Sequence, residues 1–523
     1  MADFGLRPAR WTRSSAVLDW RIVPGDRTLR GGSRRAQLPR AGAVARATTN
    51  GRVRMSRPVS LRAEPDPIRI PERRRRLELP TWFLVAAALA LIGLKPLFDI
   101  PGEKTAQDTV DLGFVASTAG AVLMFVAFVL VLAMTRRLPA RMILALVALL
   151  TLGVLSVVSL LAIPARDGFI DHFAVTGLRD IFGPYVPPAK GTLTQAAQLA
   201  VGFAPITLIA VMYVKPGWFA MDRIRWVLQL VLLGAVAHSV IAWLQVAGVV
   251  DYTFFFKLPG GNIGRASGGY FHPASLGRLL IFAVFILYVA GDRLRLKPVF
   301  RFALLALMVG TAVVTTHRLT ILCVGILVAA MELRRLPALL RWIRRLPLRV
   351  TLPGALLLVA GLVVLLIRWG PFLWARARFL VTQIGSLNPD SKDFMRGRGE
   401  IWVQLSHAWR DAPLDVWLFG LGYEPWNTHS DPIRVFVVWG TLGLACMAVV
   451  CTVLWRTTSE LLTFEGQWAL VVLYFTAAVF AVTQKPTSYS YFMWLFLFSH
   501  ILVVAVYPRG AVTPGAVRNG DPS

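Results

Sequence analysis

The stretch FMRGRGEIWVQLSHAWRDAPLDVWLFGLGYEPWNTHSDPIRVFVVWGTLGL, residues 394–444, decides how this chain is organised. Its first part is polar and ends a long loop, and its last part enters an apolar segment again. Within it lie a Gly420-x-Gly422 turn, Glu424 and His429. Because the rest of the chain is largely apolar, this concentration of polar groups marks the place where we expect chemistry.

The composition is that of a membrane protein. Of 523 residues, 56% are hydrophobic and 16% are charged, with a mean hydropathy of +0.60, which is too apolar for an ordinary water-soluble domain. The formal net charge of +28 would suit nucleic acid. The arginines, however, stand at the ends of apolar segments and in the N-terminal region, so we attribute them to membrane topology and expect no nucleic-acid partner. Cys323, Cys446 and Cys451 lie in apolar stretches, which predicts neither a disulfide framework nor a zinc site.

The two ends of the chain are predicted to be tails. Residues 1–78 are rich in Arg and have no sustained apolar period, so we expect a basic, disordered, cytoplasmic tail. Met55 opens a second plausible start, MSRPVSLRAEPDP, and is a candidate for the true translation start. Residues 508–523 are predicted to form a short cytoplasmic tail.

Apolar segments of about 20 residues, enough to cross a bilayer core of about 30 Å, recur along the chain. The predicted fold class is an all-α polytopic membrane protein of about twelve spans: 79–98, 112–134, 140–163, 192–214, 224–250, 275–291, 299–316, 317–333, 350–368, 432–455, 467–483 and 489–507. Short basic connections alternate with less basic ones, which predicts cytoplasmic termini and an extracytoplasmic loop at 369–431. Spans 1–9 would occupy 79–368 and spans 10–12 would occupy 432–507, in a multi-pass protein of the plasma (inner) membrane.

The second half of the loop is predicted to contain a helix. Apolar residues recur there at spacings of three and four, and a proline stands where a helix should end. These residues are Ile401, Leu405, Ala408, Trp409 and Pro413. Arg398 and Trp402 fall on one face of this helix, so both are candidate site residues.

Basic residues also lie on the predicted outer side, where the other short connections avoid them. Arg318 stands between two apolar segments in VVTTHRLTILC. Arg265 and His272 lie in the glycine-rich PGGNIGRASGGYFHPASLGRLL, and Arg278 follows one turn into the next span. Glycines let a backbone approach a ligand, and an arginine fork suits phosphate oxygens. The alternative is that each arginine only extends to the outer headgroups.

His429 lies at the outer end of the tenth span, between Glu424 and Asp431. A histidine at a membrane rim is commonly interfacial or hydrogen-bonded. The alternative is a general base, with Glu424 and Asp431 orienting the ring or acting as bases themselves. Convergence favours function, because three separate outer segments each supply Arg or His at one membrane depth and can enclose one anion-binding cavity.

These motifs resemble those of the O-antigen ligase and polysaccharide polymerase superfamily of bacterial membrane glycosyltransferases. RASGGYFHPASLG resembles the family's Arg-x-x-Gly-aromatic-x-Pro stretch. THRLT resembles its Ser-Arg-small pattern, with His317 in place of Ser. The stretch 398–444 resembles its Arg-x-x-x-Trp, Pro-x-x-Gly-x-Gly and His-Asn series with a trailing Gly-x-x-Gly.

The chain departs from the family pattern at a few positions. Ser430 stands where Asn usually follows the His, and Ala274 stands where Asn often follows Pro273. Three extra residues separate Pro413 from its Gly-x-Gly. These departures bear on the subtype within the superfamily.

The resemblance implies a C-type glycosyltransferase fold and a donor glycan carried by a polyprenyl pyrophosphate at the outer membrane face. In this family, residues at the positions of Arg265 and Arg318 would hold the pyrophosphate, and His429 would be the base or would orient the acceptor. The predicted site comprises catalytic His429 and Glu424, donor-binding Arg265, Arg318 and Arg398, and supporting His272, Trp402 and Asp431.

The chemistry expected of this site is metal-independent transfer with inversion. Fixed guanidinium groups would stabilise the charge that develops on the leaving pyrophosphate, so no metal or other cofactor is expected. The expected partners are the polyprenyl-pyrophosphate-linked donor, a glycan or lipid acceptor, and membrane lipids. The alternative is a transporter or flippase of lipid-linked sugars, although such proteins usually place polar sites near the bilayer midplane. A scaffold for other envelope enzymes would need no clustered Arg and His.

Overall fold

The computed structural model describes residues 72–100, 112–136, 138–175, 188–252, 254–255, 265–270, 272–336, 398–425 and 427–509, with scattered positions between 353 and 367. All of them belong to one unit, Arg69–Ser523. Most of the predicted N-terminal tail, the ninth span, the first half of the long loop and the C-terminal tail lie outside the described residues, so these parts of the domain organisation stay predictions.

Regular secondary structure in the described ranges is helical, apart from one isolated bridge between Leu462 and Pro508. The helices are α1 (Glu72–Phe98), α2 (Leu112–Thr135), α3 (Ala140–Val175), α4 (Pro188–Phe203), α5 (Ile206–Val214), α6 (Met221–Val246), α7 (Pro273–Ala290), α8 (Pro298–Val314), α9 (Arg318–Leu333), α10 (Arg398–Arg410), α11 (Leu414–Phe419), α12 (Asp431–Ser459), α13 (Phe464–Thr483) and α14 (Ser490–Val506). Two 3₁₀ helices, Pro216–Phe219 and Pro486–Ser488, precede α6 and α14. The prediction of an all-α protein is confirmed.

Eight helical segments of the described chain are long and apolar enough to cross a membrane: Leu77–Phe98, Leu112–Thr135, Ala140–Ala162, Lys190–Val214, Met221–Val246, Pro273–Ala290, Asp431–Ser459 and Phe464–Thr483. This is the architecture of a multi-pass membrane protein. At three further predicted spans the helices α8, α9 and α14 have only 17, 16 and 17 residues. The count of twelve therefore stays a prediction.

The first helix begins earlier than the predicted span. It starts at Glu72, within the stretch assigned to the tail, whereas the apolar segment starts at 79. Arg and Glu are good helix formers, so the helix extends through the charged residues that precede the apolar segment.

Helix α12 is broken at Gly440, whose backbone is not helical (φ 65°, ψ −161°). The amides of Leu421 and Gly422 donate to the carbonyls of Val437 and Val438, each over 2.8 Å. A Cβ on Gly420 would lie 2.5 Å from the carbonyl carbon of Val438, so only glycine permits this approach. The Gly-x-Gly turn thus satisfies the carbonyls that the break in α12 leaves without helical partners.

Ion pairs join elements at the end of the bundle that the sequence predicts to be cytoplasmic. Arg141 pairs with Glu460, Lys215 with Glu78 and Arg334 with Glu465. Each pair links segments that are far apart in the chain, so the predicted inner connections lie side by side. The starts of α7, α9, α12 and α14 lie at the other end, where the candidate site residues are found.

Candidate functional site

The turn between α11 and α12 is held by the carboxylate of Glu424. Its Oε1 accepts hydrogen bonds from the backbone N–H of Thr428 (2.6 Å) and from the Thr428 hydroxyl (2.8 Å). The Glu424 side chain is only 6% exposed. A buried carboxylate needs such donors, and here the donors belong to the residue that precedes His429.

His429 lies in this turn with a positive φ of 53°. Non-glycine residues rarely adopt this conformation, although histidine does so more readily than most. The backbone N–H of His429 donates to Oδ1 of Asn427 (3.2 Å). The turn therefore holds His429 in a defined and costly backbone conformation between two buried acidic residues, Glu424 and Asp431.

Two cations approach Glu424 from other parts of the chain. Nζ of Lys485 donates to its Oε2 over 2.7 Å. Nε of Arg434 lies 3.8 Å from the same oxygen, and the Arg434 side chain is only 1% exposed. An arginine buried to this degree is stable only with several partners, and α4 and the connection before α14 provide them.

Arg434 is surrounded by polar side chains. Its NH1 donates to the hydroxyl of Thr487 (2.7 Å), and its NH2 donates to Gln195 and to Oε1 of Gln198 (3.2 Å). Thr487 in turn donates its hydroxyl proton to Oδ1 of Asp431 (2.5 Å) and its N–H to Oδ2 (3.2 Å). Glu424, Asp431, Arg434 and Lys485 together form a buried cluster with two negative and two positive charges, which we call the buried ion cluster.

The predicted loop helix packs against this turn. Helix α10 starts at Arg398 and ends at Arg410, shortly before Pro413, as predicted. Nε1 of Trp402 donates to the carbonyl of Thr428 (2.9 Å), so Trp402 fixes the other side of the turn that carries His429. Arg398 occupies the first position of the helix, and its side chain lies outside the described residues.

A second group of polar residues lies at the starts of α7 and α9. His272 and His317 are the N-caps of these helices, since Nδ1 of His272 accepts from the N–H of Ala274 (3.0 Å) and Nδ1 of His317 accepts from that of Thr320 (3.3 Å). Their rings lie 6.3 Å apart. An N-cap needs only an acceptor at this position, which explains how His317 can stand where the resemblance expects Ser.

Two of the three arginines predicted to bind the donor, Arg265 and Arg318, belong to this second group, whereas Arg398 lies on α10. Arg318 is the first residue of α9, directly after His317. Burial, together with the nearby charges of Arg278 and Arg265, lowers the pKa of His272 from 6.5 to about 4. His272 is therefore neutral at physiological pH and adds no charge to the arginines around it.

Close contact between α7 and α9 brings the second group together. A Cβ on Gly277 would lie 2.8 Å from Cβ of Thr320, so the two helices touch beside Arg278 and Arg318. A larger residue at Gly277 would push the helices apart. Arg278 and Arg318, distant in sequence, thus lie at one level of the bundle.

The glycine-rich connection before α7 is fixed to α6. The amides of Ser267 and Gly268 donate to Oε1 of Gln245 (2.9 and 3.0 Å), and the amide of Gly269 donates to Nδ1 of His238 (3.1 Å). These three amides bind side chains of the protein, so they are not available to bind a phosphate. The part of the connection that these bonds fix follows Arg265, which lies four residues before Gly269.

One short connection joins the two groups. It runs from Lys485 through the 3₁₀ helix Pro486–Ser488 to Tyr489. Lys485 binds Glu424, whereas the ring of Tyr489 lies 3.0 Å from the guanidinium carbon of Arg278. The buried ion cluster and the second group therefore border on one region at the same end of the bundle.

An apolar cavity of about 350 Å³ opens beside the buried ion cluster. Helices α12, α13 and α14 provide most of its wall, including Val435, Met447, Leu454, Tyr474, Ala478 and Phe496. Asp431 and Thr487 also line it. The cavity thus offers an apolar compartment with a polar boundary.

Sequence reasoning selected Glu424, His429, Asp431 and Trp402, and the structure brings these residues together. Glu424 and His429 lie in the turn before α12, Asp431 begins α12, and Trp402 of α10 donates a hydrogen bond to the turn. It did not select the partners from elsewhere in the chain, which are Gln195, Gln198, Arg434, Lys485, Thr487 and Tyr489. A signal existed for two of them. Lys485 lies in a short connection on the predicted outer side, as Arg318 does. Arg434 lies about one turn into a predicted span, as Arg278 does. The two glutamines, Thr487 and Tyr489 carry no such signal.

Comparison with known proteins adds no family to this description. No protein-family model matches the chain, and no curated protein matches it.

Proposed function

We propose that this protein is a membrane glycosyltransferase of the O-antigen ligase and polymerase type. It transfers glycan from a polyprenyl-pyrophosphate donor to an acceptor hydroxyl at the outer membrane face, during synthesis of cell-surface polysaccharide. The observation that supports this most is the position of Asp431 and Thr487. Asp431 belongs to the buried ion cluster and accepts a hydrogen bond from Thr487, and both residues line the apolar cavity. A lipid-linked sugar needs such a boundary between apolar and polar surroundings.

The donor proposed here has an apolar chain and a strongly charged headgroup. The cavity beside α12, α13 and α14 suits part of an apolar chain, because its wall is made mainly of aliphatic and aromatic side chains. Arg265, Arg318 and Arg398 would bind the pyrophosphate through charge-assisted hydrogen bonds. Their role is to stabilise the negative charge that grows on the leaving group.

In the proposed reaction, the acceptor oxygen forms a bond to the anomeric carbon while the bond from that carbon to the pyrophosphate oxygen breaks. The leaving polyprenyl pyrophosphate keeps the electron pair, and His429 takes the proton of the acceptor hydroxyl. Attack from the side opposite the leaving group inverts the anomeric configuration. Glu424 is assigned to hold the turn of His429, because both of its oxygens already accept hydrogen bonds from Thr428 and Lys485.

A transporter of lipid-linked sugars is the second candidate, since the break in α12 is of the kind that transporters use to bind ions through free carbonyls. Here the carbonyls of Val437 and Val438 accept hydrogen bonds from Leu421 and Gly422. The polar clusters also lie at the helix starts rather than along the middle of the spans. Both observations favour the enzyme.

The test is glycosyl transfer by the purified protein with lipid-linked glycan extracted from the native membrane. His429→Ala should reduce transfer by about 10²- to 10⁴-fold, the usual contribution of a general base, and donor binding should persist. His407→Ala is the matched control, because His407 is exposed on α10. Transfer by His429→Ala at the wild-type rate would refute the assignment of the base.

A deletion strain separates the two candidate functions. Loss of a polymerase or ligase should leave lipid-linked glycan on the outer face of the membrane, where added glycan-cleaving enzymes reach it. Loss of a flippase should leave that glycan on the inner face, protected until the cells are lysed.

A further inference from the structure

Arg278 is half-buried and differs in its surroundings from Arg434, the buried arginine of the site. It lies one turn into α7, and its guanidinium carbon is 3.0 Å from the centroid of the Tyr489 ring. Its side chain hydrogen-bonds to that of Tyr489, and its buried Nε finds no hydrogen-bond partner among the residues that the structure describes. Nε of Arg434 likewise lacks a hydrogen bond, but it lies 3.8 Å from Oε2 of Glu424. A cation that stacks on an aromatic face keeps its N–H groups in the plane of the guanidinium, where they remain able to donate.

The charge balance around Arg278 contrasts with that of the buried ion cluster. Arg434 lies within 3.8 Å of Glu424 and 3.7 Å of Asp431, and Lys485 lies 2.7 Å from Glu424. Over the described ranges, no carboxylate forms an ion pair with Arg278. The cations of the buried ion cluster thus have carboxylate partners, whereas Arg278 has none among the residues that the structure describes.

The neighbours of Arg278 increase the positive charge. Arg278 and Arg265 both lie close enough to His272 to lower its pKa, to about 4, in addition to the effect of burial. Arg318 lies at the same level, because α7 and α9 touch at Gly277 and Thr320. The Arg278 side chain is half-buried, with its Nε fully buried. A charge that is largely removed from water without a counterion is costly, so an external anion at this point would be favoured.

We infer that Arg278 binds a phosphate group of the lipid-linked substrate, in the plane of its guanidinium and against the ring of Tyr489. The ligand class is a pyrophosphate ester of a polyisoprenoid lipid. The inference rests on the proposed function and deepens it, because it adds a residue that neither the motifs nor the resemblance assigned to the donor site. It also gives the connection 485–489 a role. Tyr489 of this connection packs against the arginine that binds the headgroup, and Lys485 binds Glu424 in the turn of His429.

The experiment compares binding and stability in one set of variants. The protein is reconstituted in nanodiscs of phosphatidylcholine, and geranylgeranyl pyrophosphate is the probe. Arg278→Met should bind the probe about tenfold more weakly or worse, since a hydrogen bond to a charged group is lost. Its thermal unfolding temperature without ligand should equal or exceed that of the wild type, because an uncompensated charge has been replaced by an apolar side chain of similar length.

Two controls separate a ligand-binding role from a structural one. Arg434→Met should unfold at a clearly lower temperature, because Asp431 loses its cation and Glu424 keeps only Lys485. Arg335→Met should change neither quantity, since Arg335 is exposed and paired with Glu332 near the Tyr288 ring. Arg278→Lys should bind with intermediate affinity, because it keeps the charge and loses the planar fork. If Arg278→Met binds the probe like the wild type, or is destabilised as much as Arg434→Met, the inference is wrong.

A competition experiment identifies the source of the phosphate. Inorganic pyrophosphate should displace the probe from the wild type, and phosphatidylglycerol added to the nanodiscs should not. Displacement by phosphatidylglycerol from the wild type would assign Arg278 to bilayer lipid and overturn its role in donor binding. These measurements do not depend on glycosyl transfer, so a failure of the proposed function at His429 and a failure at Arg278 give different results.

Discussion

Lys485 donates a hydrogen bond of 2.7 Å to Oε2 of Glu424, although 61 residues separate them in the chain. Both side chains are mostly buried, at 13% and 6% exposure. Because the other oxygen of Glu424 binds Thr428, this pair connects the turn of His429 to the segment between α13 and α14. The position of the proposed base thus depends on a residue from the far end of the chain.

Removal of Lys485 should destabilise the protein. Lys485→Met leaves the Glu424 carboxylate buried with only the more distant Arg434 as a cation, and breaking a buried pair in this way costs about 3–5 kcal/mol. The measurement is thermal unfolding in detergent. The matched control is Arg335→Met, which breaks an exposed pair with Glu332 worth about 0–1 kcal/mol.

The double variant Lys485→Met/Glu424→Gln should recover part of the lost stability, because no uncompensated charge remains. Equal unfolding temperatures for Lys485→Met and Arg335→Met would show that the pair does not stabilise the turn.

A side chain at the break in α12 should also destabilise the protein. Gly440→Ala places a Cβ at a positive φ with extended ψ, a region that costs about 1–3 kcal/mol for residues other than glycine. That Cβ would also lie 2.6 Å from the backbone nitrogen of Phe419. The control is Gly153→Ala in α3, where a Cβ meets nothing within 4 Å and helix propensity improves. Gly440→Ala should unfold at a lower temperature than the wild type, and Gly153→Ala should not. The break would be dispensable if both variants behaved alike.

His272 should make stability depend on pH. Its pKa is about 4 in the folded protein and 6.5 in the unfolded chain, so the unfolded chain binds more protons between these values. The contribution of His272 is fully present above pH 6.5 and falls as the pH is lowered towards about 4. His272→Asn keeps an N-cap acceptor and removes the titration. The unfolding temperature of this variant should therefore decrease less than that of the wild type between neutral pH and about pH 5. Identical pH profiles would contradict the burial of a neutral His272.

The orientation predicted from the basic connections can be tested by labelling. In a variant with Cys323, Cys446 and Cys451 replaced by Ser, single cysteines at Ser406 and Ser459 report on opposite sides, since Ser406 is exposed and Ser459 is partly exposed. A thiol reagent that cannot cross the membrane should label the cysteine at position 406 in intact cells and the one at 459 only after lysis. The reverse pattern would invert the topology.

The sequence by itself determined the features that arise within a few residues of each other. The apolar segments, the helix from Arg398 with its end before Pro413, and the Gly420-x-Gly422 turn could all be predicted, because helix propensity, capping and turn formation act locally. The N-cap roles of His272 and His317 are also local, although they became apparent only with the helix starts in place.

Only the tertiary structure decided which polar groups meet. Gln195 and Gln198 bind Arg434 across more than 230 residues, and the Gly420-x-Gly422 turn fills the break at Gly440. Such pairs have no periodicity in the sequence, because they depend on how the helices pack. Packing likewise decided that Arg434 and Lys485 have carboxylate partners while Arg278 lies against an aromatic ring, since a charge buried between helices is compensated by whichever groups the neighbouring helices bring to it.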